Sequence, residues 1–501
     1  METLIALFRL KESLKDKRKD HRYSHKIAAF EALLKENDHI TDKEVCQRIY
    51  KKPNITRAYR SLKYRVEEKL MNDILLLCSS EENLNNRVNA SVVIEKNMVI
   101  VTALFKNFYR KEGILLAEKL NKICEKYYFT SQLLALNQIL SNHFGFVEMN
   151  EKKMQKHLNN ISFYMEVLKA EYYVLSCNVL ISNMYIRSKG GFSTAQIKTM
   201  EEMVIKMNEL KQKYASNTVV VFTNDVSYFY YEFIGDYTKG LDVAQAALKE
   251  IMDLDNGEIL GEYQSKRNIA LANFHLKNYQ EASKWFEEVI EMVTVGTRNW
   301  FFATSLYYLN LVSLKKYDQL YSLSYVVLNN KNLSKFTHFH EQWKIREAYI
   351  HFLIKVDIIK LSDHPKEKLK PFSLSRFLNS MPFHGKDKSG QNVTIIILQI
   401  LFLISDKKYS QIIDRIDALT QYTYRYLRND DTYRSNCFIK MLILMAKADF
   451  NPIRTVRYTK DLRKKLINAH PVTDEKSSQV EIIPFDFLWD LTIELLETNQ
   501  P

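Results

Sequence analysis

The stretch IALANFHLKNYQEASKWFEEVIEM, Ile269–Met292, decides the fold class of this chain. Two amphipathic helix patterns flank its short polar turn, LKN. Ala270 lies on the first predicted helix, and Tyr279 ends the turn. Ala282 follows three residues later, and Phe286 four residues after that. Small residues let two helices cross closely and aromatic residues fill the gaps beside them, so the stretch predicts a tightly packed helical hairpin.

The same spacing recurs elsewhere in the chain. In YFYYEFIGDYTKGLDVAQAAL the turn ends at Tyr237, and Gly240 and Ala244 follow at the same intervals. Two further segments place Tyr317 and Tyr409 at the end of a turn, with leucine and isoleucine in the small position. An earlier segment, LFKNFYRKEGILLAEKLNKI, is read with isoleucine in the aromatic position and alanine in the small position. We therefore expect a series of helical hairpins.

This pattern resembles the tetratricopeptide-repeat family, most clearly between residues 226 and 328. The resemblance implies an α-solenoid of antiparallel helix pairs with divergent repeats, whose first helices line a concave groove. Such a groove binds a peptide or a helix of a partner protein. The turn tyrosines are 42 and 38 residues apart, longer than the family's roughly 34-residue unit. The alternative is a non-repetitive helical bundle, serving as a subunit of a larger assembly.

The composition favours an all-α protein. The 501 residues include only 11 Gly and 8 Pro, about a third of the usual share. Sheets joined by tight hairpins need these residues at many turns, whereas helices joined by short polar loops need few. The longest apolar run, VTIIILQILFLI, is shorter than the roughly 20 residues that span a bilayer. We therefore expect no membrane partner.

The five cysteines predict a reducing compartment. Their number is odd and no two lie close together, which argues against a disulfide framework and a zinc site. The amino terminus shows no secretory signal pattern. A cytoplasmic location is the expectation.

The chain is predicted to have three regions. Residues 1–80 form a basic helical region, residues 92–330 the repeats, and residues 331–501 divergent repeats. The last region ends in the segment EIIPFDFLWDLTIELLE, which is apolar on one side and acidic on the other. A repeat array needs such an element to cover its last apolar surface, so we interpret it as a capping helix.

The first 70 residues hold 18 Lys and Arg against 11 Asp and Glu, an excess of 7 within a net charge of +13. Residues 2–36 are predicted to form one long helix. Thr41 and Glu44 have the spacing of a capping box. The segment KKPN then separates two helices, with Asn54 as the expected cap of the second.

The second of these helices carries four basic residues, which are Arg57, Arg60, Lys63 and Arg65. In outline the pair resembles a helix-turn-helix, although the break contains a proline and the second helix is long. Such a face can hold phosphates or reach base edges. The alternative is a solvated basic face packed against the repeats.

No catalytic motif is present in the sequence. His338 and His340 are two residues apart, so they point in different directions on a helix and lack zinc-site spacing. We therefore expect no enzyme, no cofactor and no metal site. The leading hypothesis is a protein-interaction scaffold. The second is a nucleic-acid-binding regulator that uses its amino-terminal unit, with the repeats as a sensor or oligomerisation region.

Overall fold

The computed structural model describes residues 1–13, 25–37, 40–78, 87–187, 192–214, 216–254, 259–364, 368–381, 391–426, 433–468 and 481–498. In these ranges every regular element is a helix. The first eleven α-helices are α1 Glu2–Ser13, α2 His25–Glu36, α3 Asp42–Tyr50, α4 Arg57–Cys78, α5 Arg87–Lys106, α6 Arg110–Tyr127, α7 Thr130–Phe146, α8 Glu151–Arg187, α9 Thr194–Lys213, α10 Asn217–Phe233 and α11 Tyr237–Asp253. The others are α12 Ile259–His275, α13 Tyr279–Glu291, α14 Arg298–Ser313, α15 Tyr317–Leu328, α16 Thr337–Lys355, α17 Leu374–Ser380, α18 Gln391–Ser405, α19 Tyr409–Tyr426, α20 Tyr433–Lys447, α21 Pro452–Asn468 and α22 Phe485–Thr498.

The chain divides into two compact units. Unit 1 comprises Met1–Glu171 with Leu254–Ile259, and unit 2 comprises Tyr172–Asp253 with Leu260–Pro501. Unit 1 has one apolar core among α1 to α4 and another among α5 to α7. The large core of unit 2 extends from α10 to α22.

Helices that follow one another in sequence pack against one another. This holds for α5, α6 and α7 in unit 1 and for the pairs α10–α11, α14–α15, α18–α19 and α20–α21 in unit 2. The all-α class is thereby confirmed, and the consecutive pairing is consistent with an α-solenoid.

One turn geometry recurs between paired helices. Its central residue has a positive φ, and the next N–H donates to the carbonyl five residues earlier, as in a Schellman motif. Asn278, for example, donates to the carbonyl of Asn273 at 2.8 Å. In unit 2 the positive-φ residues of these turns include Gly235, Lys277, Lys315 and Lys407. The four turn tyrosines predicted from the sequence are the first residues of α11, α13, α15 and α19.

The register predicted for the earliest hairpin was wrong. The positive-φ residue of this turn is Phe108, and α6 begins at Arg110. The small position is therefore Gly113, three residues after the start of α6, and the isoleucine and alanine read from the sequence lie one turn further on. A Cβ atom on Gly113 would stand 3.1 Å from the ring of Phe105, so the helices cross closely here. The error arose because this turn is apolar, unlike the others.

The predicted helix over residues 2–36 was also wrong. The Arg9 guanidinium donates to the carbonyl of Leu34 at 3.4 Å, and Lys35 lies 3.7 Å from Glu12. In one continuous helix residues 12 and 35 would be about 34 Å apart. The helices α1 and α2 therefore fold back on each other, and both pack on α4.

The caps in this region were predicted in part. Thr41 and Glu44 form the capping box expected at the start of α3. The cap of α4 is not Asn54 but Thr56, whose hydroxyl accepts a hydrogen bond from the N–H of Tyr59 at 3.1 Å. Residues 55 and 56 precede the first turn of α4, so Thr56 lies next to the first free N–H groups of the helix.

The carboxy-terminal helix α22 covers more than the last helix pair. It packs against α18, α20 and α21, and it buries Phe485, Leu488 and Trp489. The ring of Phe487 stacks on Tyr317, the first residue of α15, with 5.7 Å between centroids. The predicted apolar side is thus an integral part of the core of unit 2.

The most apolar helix, α18, lies in the same core, where side chains such as Ile397 and Leu401 are fully buried. Among the described residues no helix has the length and the apolar character needed to cross a membrane.

Candidate functional site

The residues predicted to pack the repeats are structural. Gly240, Ala244, Ala270, Ala282 and Phe286 are all buried in unit 2. The turn tyrosines Tyr237, Tyr279, Tyr317 and Tyr409 are half-buried, and their rings contact neighbouring aromatic rings. These side chains pack the hairpins together, and the glycine, the alanines and Phe286 are buried.

The first helices of the pairs in unit 2 are also mostly buried. Buried residues occupy 12 of the 17 positions of α12 and 12 of the 16 positions of α14, whereas α13 keeps an exposed charged face. A groove for a partner along α12 and α14 would need exposed side chains on these helices. Exposed apolar side chains lie instead in other parts of the described chain.

The predicted basic face of α4 is partly engaged within the protein. Arg57, Arg60 and Arg65 are exposed. Lys63 instead forms an ion pair with Asp42 of α3, with 2.8 Å between Nζ and Oδ1. Burial opposes the ionisation of Asp42, but hydrogen bonds from Lys63 and Tyr59 outweigh it and lower the pKa of this carboxyl. Lys63 thus joins α3 to α4, and three cations remain for an external ligand.

Helix α16 carries the two closely spaced histidines noted in the sequence, His338 and His340. Burial lowers the pKa of both His338 and His340. Within the described ranges no three His, Cys, Asp or Glu side chains are grouped as metal ligands would be.

A group of large apolar side chains is exposed at two turns of unit 1. We call these five residues the tip surface: Phe108, Tyr109, Phe146, Val147 and Met149. The exposed fractions of Phe108, Phe146 and Met149 are 93%, 80% and 82%. Backbone hydrogen bonds fix both turns, including one from Tyr109 to the carbonyl of Leu104 at 3.0 Å. The side chains are therefore presented on well-defined turns.

Both turns lie at the same end of unit 1. The α6 and α7 helices pack side by side and are joined by two residues, so they are antiparallel neighbours. They contain 18 and 17 residues. The start of α6 and the end of α7 are thus both about 26 Å from the connecting turn. Neighbouring helix axes are about 8–10 Å apart, which places the two turns beside each other.

Phe108 has a conformation that its side chain disfavours. Its φ of 65° lies in the left-handed region, where a bulky residue is a true outlier. With 93% of the side chain exposed, internal packing cannot compensate for this strain. Met149 has the same features, with a φ of 50°. The left-handed conformation also occurs at Lys277 and Lys315 in the equivalent turns of unit 2, so the hydrogen bonds of the turn stabilise this backbone. What distinguishes Phe108 and Met149 is that a large apolar side chain stands exposed at this position.

Positive charge surrounds the first of these turns. Lys106, Arg110 and Lys111 are exposed there, against a single carboxylate, Glu112. Near the second turn, Nε2 of His143 lies within hydrogen-bonding distance of Oε1 of Glu148, at 2.9 Å. The tip surface is therefore apolar at its centre and mainly basic on one side.

Sequence reasoning missed the tip surface because apolar residues in helical segments were assigned to the core. The signal was present in KNFYRK and GFVEMN, where apolar residues occupy the turn between two helices instead of a helix face. Turn residues are normally polar, so apolar residues in a turn between two helices predict an exposed apolar surface.

No family model matches the chain, and neither a curated protein nor a solved structure is similar to it.

Proposed function

We propose that this protein is a non-catalytic protein-interaction scaffold, and that the tip surface of unit 1 is where a partner protein docks. The main support for the proposal is the exposure of Phe108, Phe146 and Met149 at two neighbouring turns of unit 1. Turn residues are normally polar, and contiguous exposed apolar side chains mark surfaces that bind a partner. The helices α5, α6 and α7 pack on one another and thereby hold the two turns side by side.

The tip surface suits a small interface in which a few apolar side chains supply most of the binding free energy. Burying a large apolar side chain contributes about 1.5–3 kcal/mol. Phe108, Phe146 and Met149 expose most of their area, so their burial would supply several kcal/mol. Aromatic residues and methionine are enriched in interfaces and often form the hot spots. The fixed turns also reduce the ordering cost of binding.

The charges specify the chemistry of the partner. The basic residues Lys106, Arg110 and Lys111 favour a partner with acidic groups around an apolar pocket. Such rim charges mainly affect the association rate and its salt dependence. The apolar pocket of the partner would bury the rings of Phe108 and Phe146.

Comparative capture tests the proposal. The full chain and a Phe108→Ser/Phe146→Ser variant are used as baits in extract from the native cell, and the recovered proteins are quantified. We expect at least one partner that the full chain retains and that the tip variant loses by about tenfold or more, because two anchors are removed.

The matched control is Val99→Ser/Phe163→Ser, which removes two exposed apolar side chains elsewhere in unit 1. It should retain the partner. Equal recovery with the full chain, the tip variant and the control would contradict the assignment of the tip surface.

A second candidate is a nucleic-acid-binding role for α3 and α4. It is favoured by Arg57, Arg60 and Arg65, which remain exposed on the first three turns of α4. In a salt titration of duplex binding, Arg57→Ala/Arg60→Ala should reduce the slope of log K against log salt by about 2. Failure of the full chain to bind any duplex at about 50 mM salt would eliminate this role.

A further inference from the structure

The last two helices form an antiparallel hairpin at the surface of unit 2. Arg463 of α21 donates to Asp490 of α22 at 2.7 Å. Arg434 donates both to the carbonyl of Leu466 and to Asp486, so these two residues lie at the same level. The two helices are therefore antiparallel, because residue numbers increase along α21 in the direction in which they decrease along α22. At the next levels Lys460 lies across from Glu494, and Val456 across from Glu497.

A groove of about 510 Å³ runs between the two helices. Its lining includes three basic residues of α21, namely Lys460, Arg463 and Lys464. It also includes three acidic residues of α22, namely Asp490, Glu494 and Glu497. All six are exposed. One wall of the groove is therefore basic and the other is acidic.

The groove also has an apolar component on α21. Val456 and Ile467 line the groove and are exposed. Ile453 lies one turn before Val456 on α21, and 79% of its surface is exposed to solvent. The intervals along α21 between Ile453, Val456, Lys460, Arg463 and Ile467 are three, four, three and four residues. This is the spacing of a helix that packs along another helix. Ile493 of α22 lines the floor beside them.

We propose that this groove, which we call the α21–α22 groove, pairs with the same groove of a second copy of the chain. The two hairpins would face each other across a two-fold axis parallel to the helices. This operation places α21 of each copy over α22 of the other, antiparallel to it and at the same level. Arg463 then faces Asp490 of the second copy, and Lys460 faces Glu494.

Charge complementarity favours a second copy over an unrelated helix. A partner helix of one charge sign would be attracted by one wall and repelled by the other. An isologous contact needs a patch that is complementary to itself, and a basic wall beside an acidic wall meets this requirement. Exposed ion pairs contribute little affinity. The charges therefore fix register and orientation, and burial of Ile453, Val456 and Ile467 drives association.

Sedimentation velocity of the full chain over a range of concentrations tests the proposal. We expect a dimer whose dissociation constant rises with salt. Lys460→Glu/Arg463→Glu makes both walls acidic, and Asp490→Lys/Glu494→Lys makes both walls basic. In each double variant like charges face each other, so the dissociation constant should rise by about 100-fold or more. An equimolar mixture of the two variants should form a heterodimer.

The control Arg457→Glu/Lys465→Glu makes the same charge change on α21 at exposed positions outside the groove. It should remain dimeric. Circular dichroism confirms that each variant is folded. A monomeric full chain at every concentration would overturn the proposal, as would a dimer in both groove variants or a mixture that does not associate. The test does not involve the tip surface, so its failure would leave the proposed function untouched.

Discussion

The ring of Tyr237 stacks on the imidazole ring of His275, with 4.4 Å between centroids and 7° between planes. Tyr237 is the first residue of α11, and His275 is the last residue of α12. The contact therefore joins the turn of one hairpin to the first helix of the next. Tyr409 makes the equivalent contact with Phe450, with 4.7 Å between centroids.

This stacking should couple the two hairpins energetically. In a double-mutant cycle of Tyr237→Leu and His275→Leu, urea unfolding should give a coupling free energy of about 0.5–1.5 kcal/mol. Each single variant loses the ring contact while keeping most of the apolar volume. Additive effects of the two substitutions would show that the rings are neighbours without a stabilising interaction.

Two glycines of unit 2 should respond in opposite ways to alanine. A Cβ atom on Gly240 would lie 3.5 Å from the Tyr228 ring, an ordinary contact, whereas on Gly261 it would lie 2.8 Å from Val221. Gly240→Ala should stabilise the protein by about 0.5–1 kcal/mol, because glycine is unfavourable within a helix. Gly261→Ala should destabilise it by about 1–3 kcal/mol through overpacking. Thermal unfolding of both variants checks these expectations. If helix propensity alone decided the result, both alanine substitutions would stabilise the protein.

Substitution of Phe108 by glycine should separate stability from binding. Relief of the left-handed conformation should raise the free energy of unfolding by about 1 kcal/mol, while the loss of the ring weakens partner capture. Lys277→Gly is the matched control, since Lys277 has a φ of 64° in the equivalent turn of unit 2. It should gain similar stability and keep the partner. Loss of stability in Phe108→Gly would mean that the ring contributes to the fold.

His351 should make stability depend on pH. Burial lowers the pKa of this histidine to about 4, and its ring stacks on Phe372 at 4.9 Å. Between about pH 6.5 and 4 the unfolded chain binds a proton that the folded chain does not, so stability falls as pH falls through this window. His351→Phe removes the titrating group and keeps an aromatic ring against Phe372. Denaturant unfolding at about pH 7 and 4.5 should show a smaller difference in this variant, and an unchanged difference would contradict the assignment.

The turn tyrosines were predictable because polar turn residues mark the hairpins around Tyr237, Tyr279 and Tyr317. The same rule failed at Phe108, where apolar residues occupy the turn and shifted the predicted register by one helical turn. The break between α1 and α2 was missed because alternating charges continue a helix pattern without a glycine or proline signal. Contacts such as that of Arg9 with Leu34 are tertiary, and no local pattern encodes them.

The groove between α21 and α22 was beyond prediction for a similar reason. Sequence patterns show that Arg463 and Lys460 make α21 basic and that Asp490 and Glu494 make α22 acidic. They do not show that the two helices lie side by side, because the polar segment TDEKSSQ separates them in the sequence. The contact between Arg463 and Asp490, together with those of Arg434 with both helices, places the two walls opposite each other.

Site-specific photo-crosslinking tests the central claim most directly. A photoreactive benzoylphenylalanine replaces Phe108 in the full chain within the native cell, and in a second variant it replaces Phe163, which is also exposed in unit 1. We expect a discrete crosslinked protein from position 108 and not from position 163. Its yield should fall when Phe146→Ser is added. The same crosslinks from both positions, or none from position 108, would contradict the claim that the tip surface binds a partner.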